Sequence, residues 1–98
     1  MIVYEVTNTV RVDLCEAFEL YMLEQHIGDV LATRHFVSAS FETMARGKYR
    51  TRYVAPDRET LDHYLAELSP ALRSDFQDHF PEGVEATREE WTVLKHFP

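Results

Sequence analysis

Polar and apolar residues alternate along the first part of the chain. Ile2, Tyr4, Val6, Asn8, Val10 and Val12 hold even positions, whereas Glu5, Thr7, Thr9 and Arg11 hold odd ones. A period of two predicts a strand over residues 2–12 with one buried face. The period then changes. Asp13 followed by Glu16 has the form of a capping box, and Leu14, Ala17, Phe18, Tyr21 and Met22 recur at helical spacing, so a helix is predicted to begin at Asp13. Gly28 is expected to break it, because glycine costs about 1 kcal/mol relative to alanine in a helix interior. Asp29 then caps a short second piece, residues 30–33.

Two strand-like stretches follow, FVSASFETMA (36–45) and KYRTRYV (48–54), joined by Arg46 and Gly47 in a tight hairpin with glycine at positive φ. Pro56 ends the second of these. Asp57 caps a helix running through Leu68, and Ser69-Pro70 restarts another with proline at its first position. PEGV turns at Gly83 into a last strand over residues 84–97, with Trp91 and Val93 on one face and Leu94 on the other.

The order strand, helix, strand, strand, helix, strand predicts an α+β, ferredoxin-like βαββαβ fold. It is a single domain over residues 1–98, with an antiparallel four-stranded sheet and both helices on one face. The other face is left open, and a homodimer through the sheet faces would cover it.

Composition narrows the function classes. A formal charge of −7 opposes binding to phosphate backbones or anionic lipid, so no nucleic acid and no membrane partner is expected. No apolar run reaches the roughly 20 residues of a membrane span, and a cytoplasmic location is expected. Cys15 is the one cysteine, cannot form an internal disulfide, and reads as a small helix residue. Gly28, Gly47 and Gly83 are isolated, which argues against a phosphate loop or a dinucleotide fingerprint. His35, His63, His79 and His96 show no metal-ligand spacing. No metal and no cofactor are expected, although ligation of a haem by one histidine leaves no trace in spacing.

Several segments carry a family resemblance. They are MIVYEVT at the start, HIGDVLAT from His26 with Phe36 after it, Tyr49 and Tyr53, LSPALRSDFQDHF with Pro70, Leu72, Arg73, Asp75 and Phe80, and VEATREEW. Nearly the whole chain resembles an uncharacterised family of bacterial proteins of this length in the dimeric α+β barrel superfamily. The resemblance implies a dimer whose sheets pack together, with a helix-to-sheet cleft in each subunit. In the superfamily such clefts hold small, often aromatic molecules, and its members include cofactor-free oxygenases, isomerases, decarboxylases, haem-binding enzymes and pathway accessory proteins. Gly28 stands where proline is common in the family, and Arg50 and Arg52 where small or neutral residues are usual.

The chemistry-bearing candidates follow. His26 and Asp29, three positions apart, would share a helix side, so the carboxylate could fix the imidazole tautomer for acid–base catalysis. Otherwise His26 bonds to backbone freed by the helix break. Tyr4, Tyr21 and Tyr53 are candidate ligand-binding phenols, against the plainer reading of core tyrosines with a wet hydroxyl. Lys48, Arg50 and Arg52 share one face of a strand, and with Arg46 form a cationic row in which Arg52 is the candidate anion contact. Glu42 and Glu90 could instead neutralise that row across strands. Arg73, Asp75 and Arg88 could tie helix to sheet. The expected function is binding of a small aromatic or oxygenated metabolite, with cofactor-free catalysis open. The alternative is a non-catalytic accessory or chaperone-like protein of a secondary-metabolite pathway such as that of a prodigiosin-type pigment.

Overall fold

The computed structural model describes residues 1–98. Four strands, β1 Ile2–Val10, β2 Ser38–Ala45, β3 Lys48–Ala55 and β4 Val84–Thr92, form one antiparallel sheet in the order β2-β3-β1-β4. With helical segments between β1 and β2 and between β3 and β4, this is the ferredoxin-like βαββαβ α+β fold.

Register follows the two-residue period. Tyr4 lies opposite Tyr53 on one side and Glu90 on the other, so the even positions of β1 share a face with Tyr49, Thr51, Tyr53 and Ala55 of β3 and with Ala86 and Arg88 of β4. The helices cover that face. Beneath them the core divides into a cluster around Tyr4, Phe36, Tyr53, Leu61 and Tyr64 and another around Val10, Phe18, Tyr21, Met22, Tyr49 and Phe80.

The opposite face carries charge. Glu42 of β2 pairs with Arg50 at 2.7 Å, and Glu5 of β1 lies 3.8 Å from Arg50 and 3.2 Å from Arg52. The Arg50 and Arg52 part of the cationic row is therefore neutralised within the sheet, by Glu42 as expected and by Glu5 instead of Glu90, whereas Arg46 and Lys48 at the hairpin end pair with no carboxylate. Glu90 projects to the helix face and pairs with Arg58.

Several local expectations are corrected. β1 stops at Val10, and Val12–Leu14 is a 3₁₀ turn. Asp13 does not cap the helix, because its carboxylate is taken by the Arg11 guanidinium at 2.6 Å. Gly28 does not break the first helix. Helical structure is continuous over residues 15–32 as Cys15–Tyr21, a π turn Met22–His26, and Ile27–Ala32, so Asp29 lies inside the helix and caps nothing.

The second helix behaves likewise. Asp57 does cap it, accepting from the Thr60 N–H at 2.8 Å. At Ser69-Pro70 an α-helical segment, Ser69–His79, begins with proline in its first turn as expected, but it follows directly on a π turn, Tyr64–Leu68, so residues 58–79 form one helical run. β2 begins two residues later than predicted, leaving Phe36 buried in the preceding loop, and β4 ends at Thr92 with Leu94 exposed beyond it. Gly47 takes φ +88° in the hairpin, as that turn requires. No helix is long and apolar enough to cross a membrane.

Candidate functional site

Each helix carries one π turn, Met22–His26 in the first and Tyr64–Leu68 in the second, and π turns recur at functional sites. Between the two helices and the sheet lies a cavity of about 300 Å³. The first helix contributes Met22, His26 and Val30; the second contributes Tyr64, Leu72, Arg73 and Phe76; the sheet supplies Tyr4, Asn8, Thr51, Tyr53 and Arg88.

The π turn explains the setting of His26. At 3.6 residues per turn, side chains five apart diverge round a regular helix. Across Met22–His26 the wider turn brings Tyr21 and His26 together, with rings stacked at 5.6 Å and the Tyr21 hydroxyl 3.4 Å from His26 Nδ1. The same hydroxyl donates to Asp75 Oδ2 at 2.7 Å, and Gln25 Nε2 donates to that oxygen at 3.3 Å. Since the phenol proton goes to the carboxylate, the phenol oxygen is best satisfied by a proton on His26 Nδ1. His26 Nε2 is then left with its lone pair.

Electrostatics agree with a neutral imidazole. Burial pushes the His26 pKa below its ordinary value, and Asp29 and Asp75 offset this only in part. The Tyr21 and Tyr53 phenols are pushed up, chiefly by burial, and Tyr64 by the same cause to about 12. These three phenols therefore keep their protons near neutral pH.

The candidates sort cleanly. His26, Tyr4 and Tyr53 line the cavity. Tyr21 is buried beside it and reaches it through His26. Asp29 is exposed, makes no hydrogen bond to His26, and acts on it only at longer range, so the carboxylate of the relay is Asp75. Arg52 faces the other side of the sheet and is engaged with Glu5. Adjacent strand residues point to opposite faces, so Arg52 and Tyr53 cannot serve one site in one chain.

The expected Arg73, Asp75, Arg88 network does not form. Arg73 donates to the Tyr4 hydroxyl at 3.2 Å, and Asp75 is held by Tyr21. The sequence reading missed Tyr64, Thr51, Asn8 and Phe76 as lining residues. Thr51 and Asn8 carried a signal, since both are polar at positions whose period assigns them to the buried face. His35 and His63 meet away from the cavity, with Nε2 of the first 2.8 Å from Nδ1 of the second.

A family model described as a domain of unknown function (DUF4286) matches residues 1–94. No curated protein matches the chain in sequence. Among solved structures, it is similar to a mutant of SnoaB, a cofactor-independent oxygenase from Streptomyces nogalater, with TM-score 0.74 and 13% identity over 99% of this chain and 97% of that one. It is also similar to a candidate antibiotic biosynthesis monooxygenase from Deinococcus radiodurans, with TM-score 0.71 and 12% identity over 100% and 97%. A dimeric ferredoxin-like protein from an uncultured marine organism aligns with TM-score 0.70 and 12% identity over 98% and 96%. At these identities the likeness is one of fold.

Proposed function

The chain belongs to the DUF4286 family, a domain of unknown function, and from the chemistry of its cavity we propose that it binds a small aromatic, oxygenated metabolite and takes a proton from it through His26. The observation that carries this reading is the relay of Asp75, Tyr21 and His26, which ends on a neutral imidazole in the cavity wall. A general base must be unprotonated at the working pH, is strongest when its pKa lies near that pH, and gains from a fixed tautomer. Here Tyr21 supplies the orientation and burial supplies the neutrality. The proton passes from the substrate C–H or O–H to Nε2, giving an imidazolium whose Nδ1–H still meets the Tyr21 oxygen. Asp75 lies behind that hydroxyl to offset the new charge.

The walls suit an aromatic body. Tyr4 and Tyr53 stack at 6.2 Å, and Phe76 meets the His26 ring edge-on at 5.4 Å. The volume is at the small end of the range for ligand sites, about 300–1,000 Å³. A cofactor-independent oxygenase, as SnoaB is described, must draw electrons from the substrate itself, and a substrate anion releases them more readily than the neutral molecule. The fold likeness supports, at the level of analogy, a comparable use of this cavity.

Two copies are proposed to associate through the open sheet faces, where the Glu5 side chain is only 13% exposed between Arg50 and Arg52 and Trp91 stands half exposed. Sedimentation should give a dimer, and a monomer at all concentrations would end that part of the proposal.

The catalytic reading is tested by hydrogen–deuterium exchange at acidic C–H positions of a panel of phenolic ketones, followed by NMR in deuterated buffer. Wild type should accelerate exchange, and His26→Asn should lose roughly 10²–10⁴-fold of that acceleration, the usual contribution of a positioned base. Binding without exchange would favour the non-catalytic accessory role.

A further inference from the structure

The chain has 17 acidic and 10 basic residues, yet no aspartate or glutamate lines the cavity. The charged side chains that do are Arg73 and Arg88. Neither has a carboxylate partner, whereas Arg11, Arg50, Arg52 and Arg58 all do. Arg73 meets only the neutral Tyr4 hydroxyl, and the positive charges of Arg73 and Arg88 each draw the Tyr64 phenol pKa down against the upward push of burial. Two cations turned toward one cavity in an acidic protein repel each other unless an anion joins them.

A second observation is independent of charge. Thr51 is fully buried in the cavity wall, and its Oγ1 has no hydrogen-bond partner. Leaving a buried hydroxyl unpaired is unfavourable, so Thr51 Oγ1 is a donor in the cavity wall for which the chain supplies no acceptor. Asn8, on the adjoining strand and also buried, spends its amide nitrogen on a long 3.5 Å bond to the Glu85 carbonyl. The sheet floor of the cavity is thus polar and incompletely satisfied beneath aromatic walls.

We infer that the ligand is an aromatic acid, with its carboxylate held by Arg73 and Arg88 and a second oxygen accepting from Thr51. The inference rests on the reading of this cavity as a ligand site. Guanidinium groups suit a carboxylate because their fork of N–H donors matches its two oxygens. Anion capture by two arginines would set the ring's position in the cavity, and thereby which of its hydrogens faces His26. Arg73 and Arg88 are then specificity-determining residues, separate from the proton acceptor.

The test is amide NMR titration of the intact chain with benzoate, 1-naphthoate, 1-hydroxy-2-naphthoate and 9-anthracenecarboxylate, each against its methyl ester. At least one acid should shift the cavity amides and bind about tenfold more tightly than its ester, a difference of roughly 1.4 kcal/mol. Arg73→Gln and Arg88→Gln, both at exposed positions where folding is not at stake, should erase that preference. Thr51→Val should weaken the hydroxy acid several-fold and leave 1-naphthoate unchanged. Esters binding as tightly as acids, or acids shifting the Arg46 and Lys48 hairpin instead, would overturn the inference while leaving the cavity reading intact. Silence from every acid and ester would overturn both.

Discussion

Gly28→Ala is expected to stabilise the protein, although the sequence pattern marks Gly28 as a helix break. The residue lies within Ile27–Ala32, has no positive φ, and an added Cβ would meet nothing within 4 Å. No steric penalty therefore opposes the gain in helix propensity, which is about 0.8–1.0 kcal/mol for alanine over glycine. Part of that gain comes from restricting the unfolded chain. For a domain of this size it corresponds to a rise in Tm of roughly 4–8 °C. With a urea m-value of about 1–3 kcal/mol/M, the midpoint should move up by roughly 0.3–1 M with the slope unchanged. Urea melts followed by circular dichroism measure this, with wild type and variant at equal protein concentration because association adds to apparent stability. A lower midpoint would refute the continuous helix, since it would mean that position 28 uses backbone freedom that only glycine has.

Gly47→Ala should do the reverse. Its φ is +88° and the added Cβ would lie 2.8 Å from the Val10 carbonyl oxygen, so a loss of about 1–3 kcal/mol is expected in the same melts. Tyr21→Phe removes the 2.7 Å bond to Asp75. Because the Asp75 side chain is 44% exposed and water can replace the phenol, the stability loss should be about 1 kcal/mol or less, while His26-dependent exchange should slow. Stability should also depend on pH through His26. Its folded pKa is depressed, so as pH falls through the unfolded value of about 6.5 the unfolded chain takes up the proton first. This contribution is complete above that pH, declines as pH falls toward the folded pKa by at most about 1.4 kcal/mol per unit, and should vanish from the pH profile of His26→Asn.

Local signals were legible where nothing distant competed for the same side chain. The period-two strand β1 as far as Val10, the hairpin glycine at position 47 and the Asp57 cap appear in the structure as the pattern implies. Asp13 failed as a cap because Arg11, two residues away, offers its carboxylate a charged donor. Neither π turn was visible, since apolar spacings of three and four absorb one extra residue without a gap in the pattern.

The site shows the same division. His26 was recognisable by its chemistry, and Tyr4 and Tyr53 by their strands, but spacing points to Asp29 as the carboxylate behind His26, whereas Tyr21 of the same helix bonds the imidazole and Asp75 of the second helix bonds Tyr21. A carboxylate brought in by tertiary packing leaves no spacing signal. The assignment of Arg52 to a ligand conflicted with strand geometry already evident in the sequence, because Tyr53 beside it must face the other way. Arg88 reads from the sequence as a helix-to-sheet tie, and its place in a cavity wall that holds no acidic residue follows only from the tertiary fold.

The most direct measurement is long-range proton–nitrogen NMR of the His26 imidazole across pH, with and without the aromatic acids. The expected spectrum shows a neutral ring protonated on Nδ1 near pH 7, titrating below the ordinary histidine range of about 6.5, with Nε2 responding when an acid binds. A proton on Nε2, or a ring charged at neutral pH and indifferent to every acid, would contradict the assignment of His26 as the proton acceptor.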